Sequence, residues 1–379
     1  MLVSLVLGLS LSVHAPVAEP AAIHAPAVAT ALRGTRERKA LGRALVWLER
    51  HQGDSGGWSS ADFSDACPEP KEACGDPGRA QYDVGLTGLS LLAFLRAGHD
   101  ESSDQHGETI KDAAKYLVGQ AQADTGLIGD MLGHEFLYSH IIATLALCRL
   151  QVVSPQDERR AALQAAIDYL QRAQNPGSGW RYDAPPSGSN DTSMTGWAMQ
   201  ALHVADAAGL TVDPAAVSGG LAWLEQVHET KTGRFGYTES GSRSSRITGV
   251  NEHIASVGTE ALTALALHAQ LTIAAEKRDL ERLKPSIGLL LAAMPEWGEE
   301  GASADLYYWV HGTDAMALVG GKRWRSWRKA VLAALLDEEH KRKHLAGSWD
   351  PVGPWGLIGG RVYSTAMAAL VLSRCVENS

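Results

Sequence analysis

The chain has 379 residues, of which 45% are hydrophobic and 20% are charged, and its formal net charge is −9 at pH 7. A chain of this size can bury a large core, and its acidic balance argues against a nucleic-acid partner, which would need clustered Lys and Arg. The one basic cluster, residues 322–329, is short, and we expect it to form the solvated face of an outer helix.

The N-terminal segment is apolar from Leu2 to Val13, which is too short to span a bilayer as a helix. Small residues follow at Val13 and Ala15, the positions that a signal peptidase reads. We therefore predict a signal peptide over residues 1–15, an Ala/Pro-rich linker over residues 16–34, and export to the cell envelope or the exterior. A frayed tail or a lipid-facing anchor is the alternative. No transmembrane span is predicted in the mature chain, which leaves membrane association open.

Four cysteines are present. Cys67 and Cys74 enclose a Pro-containing stretch, and a loop disulfide is expected between them if the chain is exported. A zinc site is less favoured there, because neither the spacing nor nearby histidines suit one. Cys148 and Cys375 lie in apolar helical runs and are predicted to be buried packing residues.

An internal repeat indicates the architecture. The pattern Arg-Ala-x-x-Trp-Leu-x-x-x-Gln-x-x-x-Gly-x-Trp over residues 43–58 recurs in closely similar form over residues 165–180. Looser copies end near residues 127, 235 and 349. Each copy predicts a helix that ends in a Gly-rich turn carrying a large apolar side chain.

A second, more apolar helix follows each turn. The six predicted runs are 84–97, 137–150, 192–208, 256–270, 307–319 and 363–375. Aligned with one another, they pair Thr87, His140, Thr195, Thr259, Thr313 and Thr365. The fifth outer helix, near residues 283–294, lacks the turn signature and is predicted from spacing alone.

The two helix types differ in polarity. The first helix of each pair has a polar face, whereas the second is rich in Ala, Leu and Gly and must be covered on nearly all sides. Six hairpins of this kind close a ring without exposed ends. The predicted fold is therefore all-α, an (α/α)6 toroid over residues 35–379 with inner and outer helix rings around a central cup.

The pattern over residues 43–58 resembles the QW repeat of squalene and oxidosqualene cyclases, which occurs in looser form in the β subunits of protein prenyltransferases. The resemblance extends from Arg33 to Cys375. It implies the same toroid fold and structural roles for the repeated Gln and Trp side chains. Those residues are Gln52, Trp58, Gln174, Trp180 and Trp349.

Polar side chains are frequent at the predicted amino ends of the inner helices, which ring the cup in this fold. Asp191 and Asp83 are candidate helix caps. Glu260 and Asp314 each follow an aligned Thr by one position, inside apolar runs, where a buried carboxylate needs a partner or a raised pKa. The expected partners are His140, His311 and Arg361.

The families that this sequence resembles catalyse two reactions, alkene cyclisation and zinc-dependent prenyl transfer. Class II cyclases protonate an alkene with an Asp of an Asp-x-Asp-Asp motif, and residues 189–192 read Ser-Asn-Asp-Thr, which leaves only Asp191 as an acid. With 4 Phe in the chain, we expect few rings in the cup to stabilise a carbocation. Zinc-dependent prenyl transfer is disfavoured, because no inner-helix start carries a Cys.

Two other roles stay open. Sugar-polymer cleavage needs two carboxylates across the cup, and the candidates are Asp83, Asp191, Glu260 and Asp314. A divalent metal could use His134, Glu135, His140, His311 and Asp314, but their spacing matches no known signature. Binding without catalysis is the last alternative, without covalent capture, because the thioester sequence Cys-Gly-Glu-Gln is absent.

Our leading prediction is an exported, squalene-cyclase-like protein that binds or acts on a hydrophobic, isoprenoid-type small molecule in the cup. The alternative is a carbohydrate-active enzyme or a non-catalytic binding toroid. If the protein is catalytic, the expected residues are Asp191 as the acid, with Asp314, Glu260 and His311. The predicted substrate-binding residues are Asp83, Tyr82, His140, Trp197, Tyr308, Arg361 and Tyr363. Neither a cofactor nor a metal is predicted.

Overall fold

The computed structural model describes residues 34–379, except 69–73, 134–135, 244–245, 247–248, 250, 255–258, 275–278 and 378–379. The chain from Gly34 onward forms one compact unit. The predicted signal peptide and nearly all of the predicted linker lie outside the described residues, as do His134 and Glu135.

Twelve α-helices occur in the described ranges, and they alternate between an outer and an inner ring. The outer helices are α1 (Arg36–Arg50), α3 (Gly107–Gly119), α5 (Asp157–Arg172), α7 (Pro214–Gln226), α9 (Lys284–Ala292) and α11 (Gly321–Leu336). The inner helices are α2 (Asp83–Arg96), α4 (Phe136–Val153), α6 (Thr192–Ala207), α8 (Ala261–Ile273), α10 (Leu306–Val319) and α12 (Gly353–Glu377). Two short strands, β1 (His228–Glu229) and β2 (Arg234–Phe235), pair antiparallel.

The inner helices form a closed ring. Each contacts the next in the order α2, α4, α6, α8, α10 and α12, and α12 returns to contact α2. Every later outer helix packs mainly against the inner helix that precedes it, and α1 packs mainly against α12. This arrangement confirms the predicted (α/α)6 toroid.

The distribution of polar and apolar side chains around each helix explains whether it lies in the outer or the inner ring. In α1 the buried residues recur at helical spacing on one face, from Ala40 to Leu48, while Arg50 at its end is exposed. In α2 every residue from Gly85 to Leu95 is buried. A helix that is apolar on one side packs with its other side in water, and one that is apolar all round must be enclosed.

Two inner helices, α4 and α12, are long and apolar enough to cross a membrane by length and composition alone. The protein itself buries 78% of the apolar window in α4 and 94% of the window in α12. Enclosure in a helical ring selects the same apolar composition as a bilayer does, so the packing of these helices accounts for their sequences.

One hydrogen bond recurs around the ring and fixes five of the turns against an inner helix. The backbone N–H of the large turn residue donates to a Thr hydroxyl or, in the second copy, to a His nitrogen. The acceptors are Thr87, His140, Thr195, Thr263 and Thr365. The predicted equivalents in α8 and α10 are therefore corrected. Thr259 precedes α8, and Thr313 accepts from Trp327 Nε1 instead.

The repeated Gln side chain links neighbouring outer helices. The Gln52 amide donates to the carbonyls of Gly56, in its own turn, and Thr109, in α3, at 2.7 and 2.9 Å. Gln174 makes the equivalent two bonds, the second of them to α7. The indole N–H of three turn tryptophans donates to a carbonyl of the preceding outer helix, from Trp58, Trp180 and Trp349.

Turn glycines lie in close contact with the backbone of the next outer helix. Gly56 has φ +87°, and a Cβ there would lie 2.4 Å from the Asp112 carbonyl oxygen in α3. Where the ring closes, Gly347 has φ +95°, and its Cβ would lie 2.2 Å from the Arg43 carbonyl oxygen in α1. Only glycine combines this backbone conformation with so close an approach.

Replacing the glycine at the ring closure tests this constraint. We expect Gly347→Ala to lower the free energy of unfolding by about 2 to 4 kcal/mol, because it combines left-handed strain with overpacking. The matched control is Gly42→Ala, at an exposed site within α1 with nothing near the added carbon, which should be stabilising by up to about 1 kcal/mol. Urea unfolding followed by circular dichroism measures both; equal stability of Gly347→Ala and the parent would contradict the constraint.

Candidate functional site

A cavity opens among the amino-terminal halves of the inner helices. Its volume is about 160 Å³, whereas one water molecule needs roughly 10–15 Å³. Eight aromatic side chains line it: Tyr82, Tyr138, Tyr182, Trp197, Tyr237, Tyr307, Trp355 and Tyr363. The rest of the wall is Gly85, Leu86, Leu89, Ser139, Ile142, Ser193, Leu262, Ile358, Gly359 and Met367. No charged side chain belongs to this wall, as far as the structure describes the chain, so the cavity suits an apolar ligand.

The register of the inner helices determines which of their side chains line the cavity. In α4, Tyr138 and Ile142 flank the turn-fixing His140, and in α12, Tyr363 and Met367 flank Thr365 in the same way. Residues four apart lie on one face of a helix. The repeated bond between turn and inner helix therefore also sets which side chains face the interior.

Asp191 lies directly behind the cavity wall, at the N-cap of α6. It has no exposed surface, and its Oδ1 accepts from the Met194 backbone N–H and the Ser193 hydroxyl, both at 2.7 Å. The Tyr237 hydroxyl lies 3.4 Å from Oδ2. The Asp191 backbone N–H donates to the Trp180 carbonyl at 2.9 Å, which fixes the residue against its turn.

Two short hydroxyl chains connect Asp191 to the cavity. Tyr138 donates to Ser193 at 2.5 Å, and Ser193 donates to Asp191. On the other side the Tyr182 and Tyr237 hydroxyls are 2.6 Å apart, and Tyr237 contacts the carboxyl. All four hydroxyl residues line the cavity. They offer a proton a path between the carboxyl and the cavity that does not cross bulk water.

Burial raises the pKa of Asp191, and this effect outweighs the hydrogen bonds from Met194 and Ser193 that favour its carboxylate. Because Oδ1 already accepts two hydrogen bonds, the proton of the neutral acid belongs on Oδ2, which faces Tyr237. Burial also raises the pKa of Tyr182, so its hydroxyl stays protonated. The site therefore combines a carboxyl group of raised pKa with neutral hydroxyls.

A second buried acid caps α10 as Asp191 caps α6. The Oδ1 atom of Asp305 accepts from the Tyr308 backbone N–H at 3.0 Å, and Oδ2 accepts from the Thr259 hydroxyl at 2.8 Å. Burial raises the pKa of Asp305 as well. Neither donor belongs to the cavity wall, which distinguishes Asp305 from Asp191.

Three of the predicted substrate-binding side chains line the cavity, namely Tyr82, Trp197 and Tyr363. Asp83 lies beside it, as the first residue of α2. Its Oδ1 accepts the Ser60 backbone N–H at 2.7 Å, and burial raises its pKa. Asp83 is thus a partly buried structural acceptor next to Tyr82.

Structural contacts hold His140, Tyr308 and Arg361 away from the cavity, contrary to the prediction for these residues. Both ring nitrogens of His140 bond to backbone atoms, and the Tyr308 hydroxyl donates to a carbonyl at the end of α9. Arg361 pairs with Asp76 and, at 2.5 Å, with Asp350. Each side chain is held by polar groups of the scaffold.

Asp314 lies away from the cavity wall, as the ninth residue of α10. Its carboxylate accepts from Arg96, at the last residue of α2, at 2.7 and 3.1 Å, and from Arg374, near the end of α12, at 3.0 Å. Burial alone would raise the pKa of Asp314, but the two guanidinium groups outweigh it and hold the pKa well below its usual range. Asp314 therefore remains ionised in a structural ion cluster.

The Glu260 carboxylate also forms an ion pair with an arginine. Glu260 immediately precedes α8, where it accepts from Arg234 in β2 at 2.5 Å and from the Thr263 hydroxyl at 3.1 Å. The predicted alignment of Glu260 with Asp314 is wrong, because one residue precedes its helix and the other lies well inside it. The two carboxylates do not share a site.

His311 packs edge-on against two aromatic side chains of the cavity wall, with ring centroids 4.9 Å from Trp197 and 4.8 Å from Tyr307. Among the residues that the structure describes, neither ring nitrogen of His311 has a hydrogen-bond partner. Burial lowers the pKa of His311 to about 3. The ring is therefore neutral near pH 7 and offers no charge to a carboxylate.

The expectation of a cup with few aromatic rings is corrected, because tyrosine supplies most of them. Five of the eight rings were not among the predicted substrate-binding residues, namely Tyr138, Tyr182, Tyr237, Tyr307 and Trp355. A signal existed for Tyr138, which precedes the repeated His140 by two residues, as Tyr363 precedes Thr365. Tyr182 and Tyr237 lie outside the helices and carry no periodic signal.

The helical ring and the aromatic cavity at its amino-terminal ends define a terpenoid-cyclase-like α/α toroid. Residues 28–240 match the family described as squalene-hopene cyclase C-terminal domain. The chain belongs to this family, which confirms the resemblance seen in the repeat.

A squalene–hopene cyclase of Zymomonas mobilis subsp. mobilis (strain ATCC 31821 / ZM4 / CP4) is 28% identical over 201 residues. The match covers 48% of this chain and 28% of that protein. The chain thus spans less than a third of the length of the curated relative that it matches.

Solved structures share the fold. An α-1,6-mannanase of Salegentibacter sp. HEL1_6 has a TM-score of 0.61 at 8% identity, over 90% of this chain and 100% of that chain. A family 76 glycoside hydrolase from a bovine Bacteroides thetaiotaomicron strain has 0.60 at 12%, over 91% and 79%. The type II terpene cyclase MstE from Scytonema has 0.54 at 14%, over 90% and 98%. At these identities the similarity establishes the fold alone.

Removing the charge of Asp314 tests its structural role. We expect Asp314→Asn to lower the free energy of unfolding at pH 7 by about 3 to 5 kcal/mol, because it leaves the guanidinium groups of Arg96 and Arg374 without their anion. The control is Asp337→Asn, which breaks an exposed pair with Arg36 and should cost less than about 1 kcal/mol.

The pH dependence gives an independent check. Because the pKa of Asp314 is depressed in the folded protein, its carboxylate stabilises the fold at pH values above the ordinary carboxyl pKa of 3.8. This stabilisation is lost progressively as the pH falls below 3.8. Asp314→Asn should therefore flatten the acid limb of the stability profile measured by urea unfolding. An unchanged acid limb would contradict the assigned ionisation of Asp314.

Proposed function

We propose that the cavity binds a hydrophobic, isoprenoid-type small molecule and that the protein acts on it by proton transfer from Asp191. One observation carries the proposal: a buried carboxyl group, whose pKa burial raises, is joined by hydroxyl groups to a cavity walled by eight aromatic rings. The cyclase family and the curated relative support the same substrate class.

The wall chemistry favours an apolar ligand. Burial of apolar surface contributes about 25 cal/mol per Å², and the wall offers only aromatic, aliphatic and small side chains with neutral hydroxyls. Faces of Trp and Tyr also attract cations. A positive charge that develops on a bound hydrocarbon would therefore meet stabilising rings and no competing ion in the wall.

The proposed reaction begins with a proton on Asp191 Oδ2, which passes through the Tyr237 hydroxyl to one carbon of an alkene. The adjacent carbon becomes a cation, a second double bond attacks it, and a carbon–carbon bond closes a ring. Loss of a proton from a neighbouring carbon restores a double bond and returns the proton to Asp191. Its carboxylate is stabilised meanwhile by Ser193, the Met194 N–H and the positive end of α6.

Carbohydrate cleavage is the weaker candidate. It requires two carboxyl groups that face the substrate, yet no carboxylate belongs to the described cavity wall, and Glu260 and Asp314 are both held by arginines. The glycoside hydrolases among the structural neighbours share the fold at 8–12% identity. Binding without turnover would use the same cavity. Turnover assays distinguish it from catalysis.

Replacing the acid tests the proposed reaction. We expect Asp191→Asn to lower kcat by about 10² to 10⁴-fold, because the amide keeps the N-cap but cannot supply the proton. The matched control Asp305→Asn changes the equivalent buried cap of α10 and should retain turnover. Products of squalene, farnesol and geranylgeraniol are followed by gas chromatography and mass spectrometry.

The outcomes separate the alternatives. Retained turnover in Asp191→Asn would refute the assigned acid. A parent protein that binds these probes without converting them would be a carrier, and one that does not bind any of them would refute the substrate class.

Removing one hydroxyl tests the path of the proton. Tyr237→Phe keeps the aromatic wall, so KM should change little, while kcat should fall by about 10- to 100-fold. In the parent, kcat should decline as the pH rises through the raised pKa of Asp191, because only the protonated acid is active. Tyr82→Phe, which removes a hydroxyl elsewhere in the cavity wall, is the comparison. Equal kcat in Tyr237→Phe and the parent would rule out this path.

A further inference from the structure

A buried cluster of His51, Cys67 and Cys74 lies in the connection between α1 and α2. Their exposed fractions are 1%, 6% and 4%. His51 Nε2 lies 3.2 Å from Cys74 Sγ, the two sulfur atoms are 3.7 Å apart, and all three atoms lie within 4.8 Å of one another. We propose that these three side chains bind a zinc ion.

The sulfur–sulfur separation agrees with a shared tetrahedral ion, and Cys74 Sγ and His51 Nε2, at 3.2 Å, lie slightly closer together than such an ion would hold them. Zinc binds sulfur at about 2.3 Å and imidazole nitrogen at about 2.0–2.1 Å, which at tetrahedral angles spaces two sulfurs by about 3.8 Å and a sulfur and a nitrogen by about 3.6 Å. The observed sulfur–sulfur distance is 3.7 Å. Three protein ligands leave one position of the tetrahedron for a water molecule or another donor.

The orientation of His51 is fixed by a second contact. Its Nδ1 lies 2.7 Å from the Trp47 carbonyl oxygen, an atom that can only accept a hydrogen bond. Nδ1 therefore carries the hydrogen, and Nε2 presents its lone pair to the sulfurs. The Trp47 ring stacks on the imidazole at 4.0 Å. A backbone acceptor on the distal nitrogen is the usual support of a metal-binding His.

A disulfide between Cys67 and Cys74 would explain less. It would leave the Nε2 lone pair of buried His51 facing a sulfur without a bonding role. Two thiolates and an imidazole form a donor set suited to zinc, and the thiolate charges cancel the charge of the ion, which buried sites require. The spacing gave no signal because His51 precedes Cys67 by a span that matches no zinc motif; folding brings them together.

The cluster anchors the seam between the last and first repeats. Arg361, in α12, pairs with Asp76, two residues after Cys74, and the Arg79 backbone N–H donates to the Ile358 carbonyl at 2.9 Å. Ile358 lines the cavity. The bound ion would thus hold a loop that joins the two ends of the ring at the cavity rim. This structural role does not depend on the proposed reaction.

Metal content tests the site. The full chain, purified with reductant and reloaded with Zn²⁺, should hold one zinc per chain by plasma mass spectrometry. With Co²⁺ alone it should show the visible bands of a tetrahedral ion and a thiolate-to-cobalt charge-transfer band. The Cys67→Ser/Cys74→Ser double variant should lose the zinc and both spectral features. The matched control Cys148→Ala/Cys375→Ala, at buried thiols of α4 and α12, should keep them.

Stability and thiol protection supply readouts beyond binding. Chelation should lower the Tm of the parent and leave the Tm of the Cys67→Ser/Cys74→Ser variant unchanged. If that variant does not fold, slower alkylation of Cys67 and Cys74 in the zinc-loaded parent than in the zinc-free parent decides the question. A reduced parent that takes up neither zinc nor cobalt, zinc that survives the double substitution, or a Cys67–Cys74 disulfide in a chain that never binds metal would each overturn the proposal.

Discussion

The contact of the first outer helix, α1, with the last two helices, α11 and α12, is the constraint on which the rest of the molecule depends. The inner helices are apolar all round, so each needs a neighbour on both sides, and only closure of the ring gives α2 and α12 theirs. The seam combines the Gly347–Arg43 backbone approach with ion pairs of Arg43 with Glu339 and Arg328 with Glu37, at 2.5 and 2.7 Å. The interior of the toroid exists because this seam is closed.

Closure also determines what faces the interior. In five of the inner helices, a bond from the turn to a Thr or His sets the rotation of the helix, and that rotation turns residues such as Tyr138 and Tyr363 inward. The caps follow from the same geometry, since Asp191 begins α6 where the wall begins. A structural cap and a candidate acid thus coincide in one residue. The cap bonds keep Asp191 in place, and its burial raises its pKa.

The fold could be predicted from the sequence because the repeat pattern recurs in five of the six hairpins. The boundaries of the inner helices α2, α6 and α10 agree with prediction to within one residue. The site was less accessible to prediction. Counting from Thr259 instead of Thr263 placed Glu260 in the wrong register, and the alignment with Asp314 followed from that error. Tyr237 and His51 lie in connections between helices, where only the folded chain shows what they meet.

Ring closure also has a kinetic cost. α12 begins about 300 residues after α1 ends, so their contact closes one of the longest loops available to the chain, and its entropy is lost before any native seam contact forms. Successive hairpins can stack as they emerge from the ribosome. One apolar side of the first hairpin nevertheless stays exposed to water until the last hairpin packs against it. A chain that stalls at this stage would expose the unfinished cavity wall, and assistance from a chaperone would matter most just before the two ends meet.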